Sequence, residues 1–299
     1  MNLKNILTEI EKVDPEVYDR LDTRRNTMQR FATIGKVLAA AAVPFAVGSM
    51  FKKAYGQTPA DVLDVLQFAL TLEYLEAEFY KQAVPSAAAT SASAADRAAL
   101  TVIRDHEIAH VAFLRSAITA SGGTPVTFTA ANFDFSGGSA AGGTPGAGPF
   151  ASAFTAYPVL LAVAQTFEDT GVRAYKGQAG RLVNNNDVLT AALQIHAVEA
   201  RHASKIRLMR RLLSPTNLVP AGTTLQPWIT LNQSGIDTGN AGANAAIQKS
   251  YAGEEVVVQA GVPITNIGGQ AIAAAEASES FDEPLTKAQV LDIVDPFIR

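Results

Sequence analysis

The chain has 299 residues, 48% hydrophobic and 17% charged, enough to bury one good-sized core with material left over. Its formal charge of −4 is unevenly spread: residues 1–53 carry 9 Lys and Arg against 6 Asp and Glu, and the rest carries 15 against 22, so the body is acidic and has no basic stripe for nucleic acid. With no cysteine, disulfides, zinc fingers, iron–sulfur clusters and thiol catalysis are excluded.

Residues 1–56 read as an export signal or an N-terminal helical leader. Val37 to Phe51 is a mostly apolar stretch of 15 residues, interrupted by Pro44, with Lys36 before it and Lys52-Lys53 after. A membrane span needs about 20 residues, whereas a basic region, a short apolar region and a small-x-small site at Ala54-Tyr55-Gly56 suit export. The Arg24-Arg25 pair resembles a twin-arginine signal, although Thr27 and Met28 stand where Phe-Leu is usual. The expectation is an exported protein of the periplasm or cell envelope, touching membrane transiently through this leader. A retained leader would instead leave a membrane-anchored or cytoplasmic protein.

Residues 57–213 carry four helical patterns. Asp61 is the expected N-cap of a helix to about Ala83; Pro85 and a Ser/Ala run then connect to a second helix over about Ala94–Ala120, closed by Gly122-Gly123. So short a link makes these two an antiparallel pair. Residues 121–152, rich in Gly, Ser, Thr and Ala, read as a long crossover without strands rather than a linker between domains. The third helix is expected over Tyr157–Leu182, where Gly171, Gly177 and Gly180 weaken propensity and Gly171 marks a close approach between helices. A turn and cap at Asn184-Asn185-Asn186-Asp187 open the fourth, which runs to about Leu213 and is stopped by Ser214-Pro215. Lys205, Arg207, Arg210 and Arg211 fall in its last turns, where they suit the helix dipole. Residues 214–299 lack periodicity and read as an irregular extension with a brief strand or arm at Glu254 to Gln259 and a short helix from Lys287 to Ile293.

The chemistry sits in repeats. Glu107 and His110 share the inward face marked by Leu100, Ile103, Leu114 and Ala117. Burying both bare would cost several kcal/mol, and a metal ion that takes both as ligands compensates. Ile103-x3-Glu107-x2-His110-x3-Leu114 returns as Ile195-x3-Glu199-x2-His202-x3-Ile206, and Leu66-x2-Ala69-x3-Glu73-x6-Tyr80 returns as Leu161-x2-Ala164-x3-Glu168-x6-Tyr175. Oxygen-rich ligation with one imidazole per ion suits iron or manganese.

Ordered as Glu, Glu-x-x-His, Glu, Glu-x-x-His over about residues 61–213, the chain resembles the ferritin-like di-metal carboxylate proteins. That resemblance implies an all-α fold, an antiparallel four-helix bundle with a long crossover between its second and third helices. It implies two Fe or two Mn ions, with Glu107 and Glu199 bridging, Glu73 and Glu168 terminal, and His110 and His202 binding one ion each. Dioxygen or hydrogen peroxide is then the expected partner, and a homo-oligomer the expected state. The 214–299 tail resembles that of desiccation-related bacterial and plant ferritin-like proteins, which implies an oxidase or peroxide-scavenging oxidoreductase in stress or desiccation defence. The alternative is a structural or protective envelope protein with a vestigial or purely structural metal site.

Blander readings stand beside these. Any of Glu73, Glu76 and Glu78 suits a solvated face, and the repeat selects Glu73. Glu107 and Glu199 have Arg104 and Arg201 nearby in sequence as surface partners, and His110 and His202 have the alternative of satisfied core histidines. His106 and His196 lie outside the repeat frame, either behind the ligands or at the surface. Tyr80 and Tyr175 are either packing and hydrogen-bonding partners of the site or redox-active groups. No Gly-x-Ser-x-Gly, Walker loop or zinc-protease helix is present.

Overall fold

The computed structural model describes residues 60–140, 143–213 and 218–299. The leader reading and the Ser214-Pro215 stop lie outside them. Four long helices dominate: α1 (Ala60–Ala83), α3 (Ala94–Ala120), α4 (Tyr157–Ala179) and α5 (Asn186–Leu212), with a one-turn α2 (Ala87–Thr90) between the first two. Ser93 caps α3 by accepting from Asp96 N, and Asn185 caps α5 by accepting from Val188 N. Asp61 is not the cap of α1: the helix begins one residue earlier, and Asp61 lies in its first turn, where a negative charge still faces the dipole favourably. Beyond Ala179 the third helix tightens into a 3-10 turn over Gly180–Leu182.

Hydrogen bonds fix the directions in which the helices pass one another. Gln67 near the start of α1 bonds Thr124 just past the end of α3, and Glu73 in mid-α1 meets His110, so these two run antiparallel. Gln165 of α4 meets Arg210 of α5 while Val172 meets His196, and the same logic applies. Tyr80 with Glu168 and Tyr175 with Glu73 set α1 against α4. Apolar faces fill the space between: Leu70, Leu75, Leu100, Ile118, Leu160, Leu161 and Ile206 are buried. Phe79 sits among Tyr80, Phe135 and Phe167 with ring centroids 5.2–5.4 Å away, mostly edge to face.

Among its described residues, the segment between α3 and α4 contains no strand, only a 3-10 turn at Ala130–Asn132 and an isolated bridge from Phe133 to Ile298. It is nonetheless part of the core, because Phe133, Phe135 and Phe150 are buried. Asp134 organises it by accepting from Ser136 N and Oγ, Ser139 Oγ and Gly146 N; these bonds outweigh burial and hold its carboxyl below the usual range.

The tail is more regular than its sequence suggests. It forms α6 (Ala241–Gln248), two short antiparallel pairs of two-residue strands (Val258–Gln259 with Val262–Pro263, Asn266–Ile267 with Gln270–Ala271), α7 (Ala274–Ser278) and α8 (Lys287–Val294). The strand expected from Glu254 is confined to Val258–Gln259. Ile247, Tyr251, Leu285, Val290, Ile293, Val294 and Phe297 join the same hydrophobic cluster as the long helices. Arg210 falls in the last turn of α5, where it suits the dipole, but neither it nor Arg207 lies at the surface. Both are buried: Arg207 pairs with Asp169, and Arg210 donates to Gln165 at 2.5 Å, with Tyr251 OH donating to Asp169 at 2.6 Å. Among the described residues no helix is long and apolar enough to cross a membrane.

Candidate metal centre

The ligand positions predicted from the repeats meet in one place. Glu73, Glu107, His110 and Glu199 form one group, and Glu107, Glu168, Glu199 and His202 another; within each group one ligand atom per residue lies within 4.8 Å of all the others. The groups share Glu107 and Glu199, the two residues from the Glu-x-x-His helices. Glu73, Glu107, Glu168 and Glu199 have no solvent exposure. Arg104 turns outward to Asp105 at 2.8 Å, so it does not neutralise Glu107.

The alignment is that of converging lone pairs rather than of a finished hydrogen-bond network. His202 Nδ1 stands 2.8 Å from Glu107 Oε1 and 3.3 Å from Glu168 Oε2, and His110 Nδ1 3.3 Å from Glu199 Oε1. Yet Glu107 Oε1, Glu168 Oε2, both Glu199 oxygens and His202 Nδ1 are buried with no hydrogen-bond partner. Such atoms are too costly to leave unsatisfied without a reason, and a cation among them supplies one. The donor set therefore fits metal ions.

Electrostatics tell the same story. Burial pushes the Glu107 carboxyl up to about 7 against the pull of the nearby His110 and His202, and burial with Glu107 and Glu73 alongside pushes Glu199 well above the carboxylate range. Burial alone would lower His202, but Glu168 and Glu107 raise it to about 11; His110 is raised by Glu73, Glu107 and Glu199 against the same burial. Burial also pushes Glu73 up, and the His110 charge with hydrogen bonds from its neighbours brings it below its ordinary value. The carboxylates thus compete for too little positive charge.

The residues behind the ligands are bonded crosswise. Tyr80 of α1 donates to Glu168 of α4 at 2.6 Å, and Tyr175 of α4 donates to Glu73 of α1 at 2.5 Å. Burial and those carboxylates push both phenols well above their ordinary value, so they remain protonated donors. His106 Nδ1 lies 2.9 Å from His202 Nε2 with the rings stacked, while His196 faces the Val172 carbonyl and takes no part. Glu76 departs from the sequence reading. It is 3% exposed and feels Glu199, Glu168, Glu107 and Glu73. Its burial was hidden by the run of three acids, although its place one turn after Glu73 was the available signal. Gly171 does mark a close approach, but to carboxylates: an added Cβ would lie 3.0 Å from Glu199 Oε2 and 3.1 Å from Glu76 Oε1.

No curated protein and no solved structure matches the chain. The model of one family, the ferritin-like domain, matches residues 61–211, a span that holds the four long helices but for the first residue of α1 and the last of α5, and every residue of the two ligand groups. The chain belongs to the ferritin-like domain family.

Proposed function

We propose that the protein is a di-iron or di-manganese carboxylate protein that reacts with dioxygen or hydrogen peroxide. In this reading α1, α3, α4 and α5 form the antiparallel four-helix bundle, with the segment between α3 and α4 as its crossover. The observation that supports it best is that two four-residue groups share Glu107 and Glu199 and leave five buried ligand atoms without partners. Two ions about 3.5–4 Å apart need bridging oxygens, which a carboxylate provides and an imidazole cannot.

Bound there, iron or manganese would supply one-electron redox change and a Lewis-acidic surface for a small oxidant. The chain's own residues do the rest. Four glutamates match the charge of two divalent ions. With Nδ1 turned to the ions, His202 would carry its proton on Nε2 and donate to His106 Nδ1, 2.9 Å away, which would fix the ring. Tyr80 and Tyr175 hold Glu168 and Glu73 in place, and these two would hold the ions together with Glu107, Glu199, His110 and His202. All four glutamates have no solvent exposure, so bulk water is kept from their carboxylates.

The charged leader supports export to the periplasm or envelope, and N-terminal sequencing of protein from its source tests that separately. For the centre itself, metal-free protein is titrated with Fe(II) or Mn(II), and oxygen uptake and peroxide loss are then followed. Two ions per chain with oxidant consumption, both lost in a Glu107→Ala/His110→Ala variant, is the expected result. Wild-type protein that takes up no ions, or takes up two and consumes no oxidant, refutes the metal or the redox half of the proposal respectively.

A further inference from the structure

Glu76 is the one buried acid beside the centre that the repeat does not explain. It stands three residues after Glu73 on the same face of α1, as Gly171 stands three after Glu168 on α4. The two repeats therefore differ at this position: one carries a carboxylate and the other has no side chain. The Cβ position that Gly171 leaves empty is within 3.1 Å of Glu76 Oε1 and 3.0 Å of Glu199 Oε2, so the glycine opens the space in which both oxygens lie.

Burial first, and then the charges of Glu199, Glu168, Glu107 and Glu73, push the Glu76 carboxyl well above its ordinary range, and no ion pair or hydrogen bond to it occurs among the described residues. A glutamine would fill the same volume without the electrostatic cost, so packing does not account for an acid here. Beside it lies a small cavity walled by Leu72, Leu75, Phe167, Thr170, Gly171 and Val294.

We propose that Glu76 is a seventh ligand of the centre, a fifth carboxylate that joins the ions from the Gly171 side when they are bound. This rests on the two-ion reading above and adds to it an asymmetry: the centre has a negative group available on one side when the ions carry more than four positive charges between them. Glu76 belongs to neither ligand group as the side chains stand, and a bound ion would draw its carboxylate toward Glu199, which both groups share and whose charge acts on it most strongly.

The test compares wild type with Glu76→Gln and Glu76→Asp by Co(II) titration. It records the affinity of each of the two ions and the visible Co(II) absorption, with circular dichroism to confirm folding. Glu76→Gln keeps shape and removes charge; Glu76→Asp keeps charge and shortens the reach. If Glu76 coordinates, both variants weaken one of the two ions by at least about 10-fold and alter the spectrum. Crystals of the Mn(II)-loaded wild type then show the Glu76 carboxylate on an ion by anomalous scattering. Aspartate that binds and absorbs like wild type, or loaded crystals with Glu76 turned away from both ions, overturns the proposal. Wild-type protein that fails to take up two ions instead overturns the two-ion reading, which the same titration shows before any variant is compared.

Discussion

Replacing Gly177 by alanine would place a Cβ 1.9 Å from the backbone oxygen of Leu285. A backbone oxygen cannot swing aside, so the tail must retreat from α4 by more than about 1 Å to restore ordinary contact. Two interactions are then exposed to loss: the Leu285 N–H bond to Arg173 O at 3.1 Å, worth about 0.5–1.5 kcal/mol, and part of the burial of Leu285, worth about 1.5–3 kcal/mol in full. A destabilisation of about 2–4 kcal/mol is expected. Gly180, one turn further, is the control. Nothing lies within 4 Å of its added Cβ and its φ of −61° and ψ of −25° suit alanine, so Gly180→Ala should be neutral or stabilising by about 0.4–1 kcal/mol. Urea unfolding measures both, and limited proteolysis reports whether residues 280–299 become cleavable. If Gly177→Ala unfolds with wild type and stays protected, the tail is not seated on α4 as described.

Other consequences can be checked in the same protein. Glu107 and Glu254, both raised by burial from 4.5 to about 7, favour the folded state while protonated. The stability they confer is complete below about pH 4.5 and is lost as pH rises through 7. Metal-free protein should therefore be less stable at pH 7.5 than at pH 5, by on the order of 3 kcal/mol for Glu107 alone, and a flat or rising profile between those values would contradict the crowding of carboxylates. Glu199→Gln should stabilise the metal-free protein by about 1–2 kcal/mol while weakening ion uptake, since it removes one of the competing charges; unchanged denaturation midpoints would refute this. Arg207→Leu strands Asp169 in a buried site and should cost about 3–5 kcal/mol, with part recovered in the Asp169→Asn/Arg207→Leu double variant, as measured by urea unfolding. Tyr175→Phe removes the bond to Glu73 and should lower metal affinity about 10–100-fold with the fold intact by circular dichroism; affinity equal to wild type would show that Glu73 needs no such support.

The helices and the convergence of four glutamates and two histidines were legible in the sequence because both follow from angular spacing. Leu100, Ile103, Leu114 and Ala117 define an inward face, Glu107 and His110 fall on it, and α3 runs from Ala94 to Ala120 as that pattern dictates. Spacing says which way a side chain points, not what arrives to meet it. The dipole accounts for where Arg207 and Arg210 stand near the end of α5 but not for the Asp169 and Gln165 that meet them in the core. The tail docks through single contacts, such as Leu285 over Gly177, that carry no period at all. Glu76 was obscured for a related reason: Glu73, Glu76 and Glu78 lie close together in sequence, and such clusters ordinarily face water.

The crosswise tyrosines have a consequence for how such a chain can be assembled. Each half holds the other half's glutamate, so neither helix pair alone can present a complete set of positioned ligands. Two copies of one half, related by a two-fold axis, would satisfy the same tyrosine contacts. Such a dimer, however, would carry either two acids at the position of Glu76 or two gaps at the position of Gly171. One of each requires two halves that differ, as they do when both are joined in one polypeptide and free to diverge.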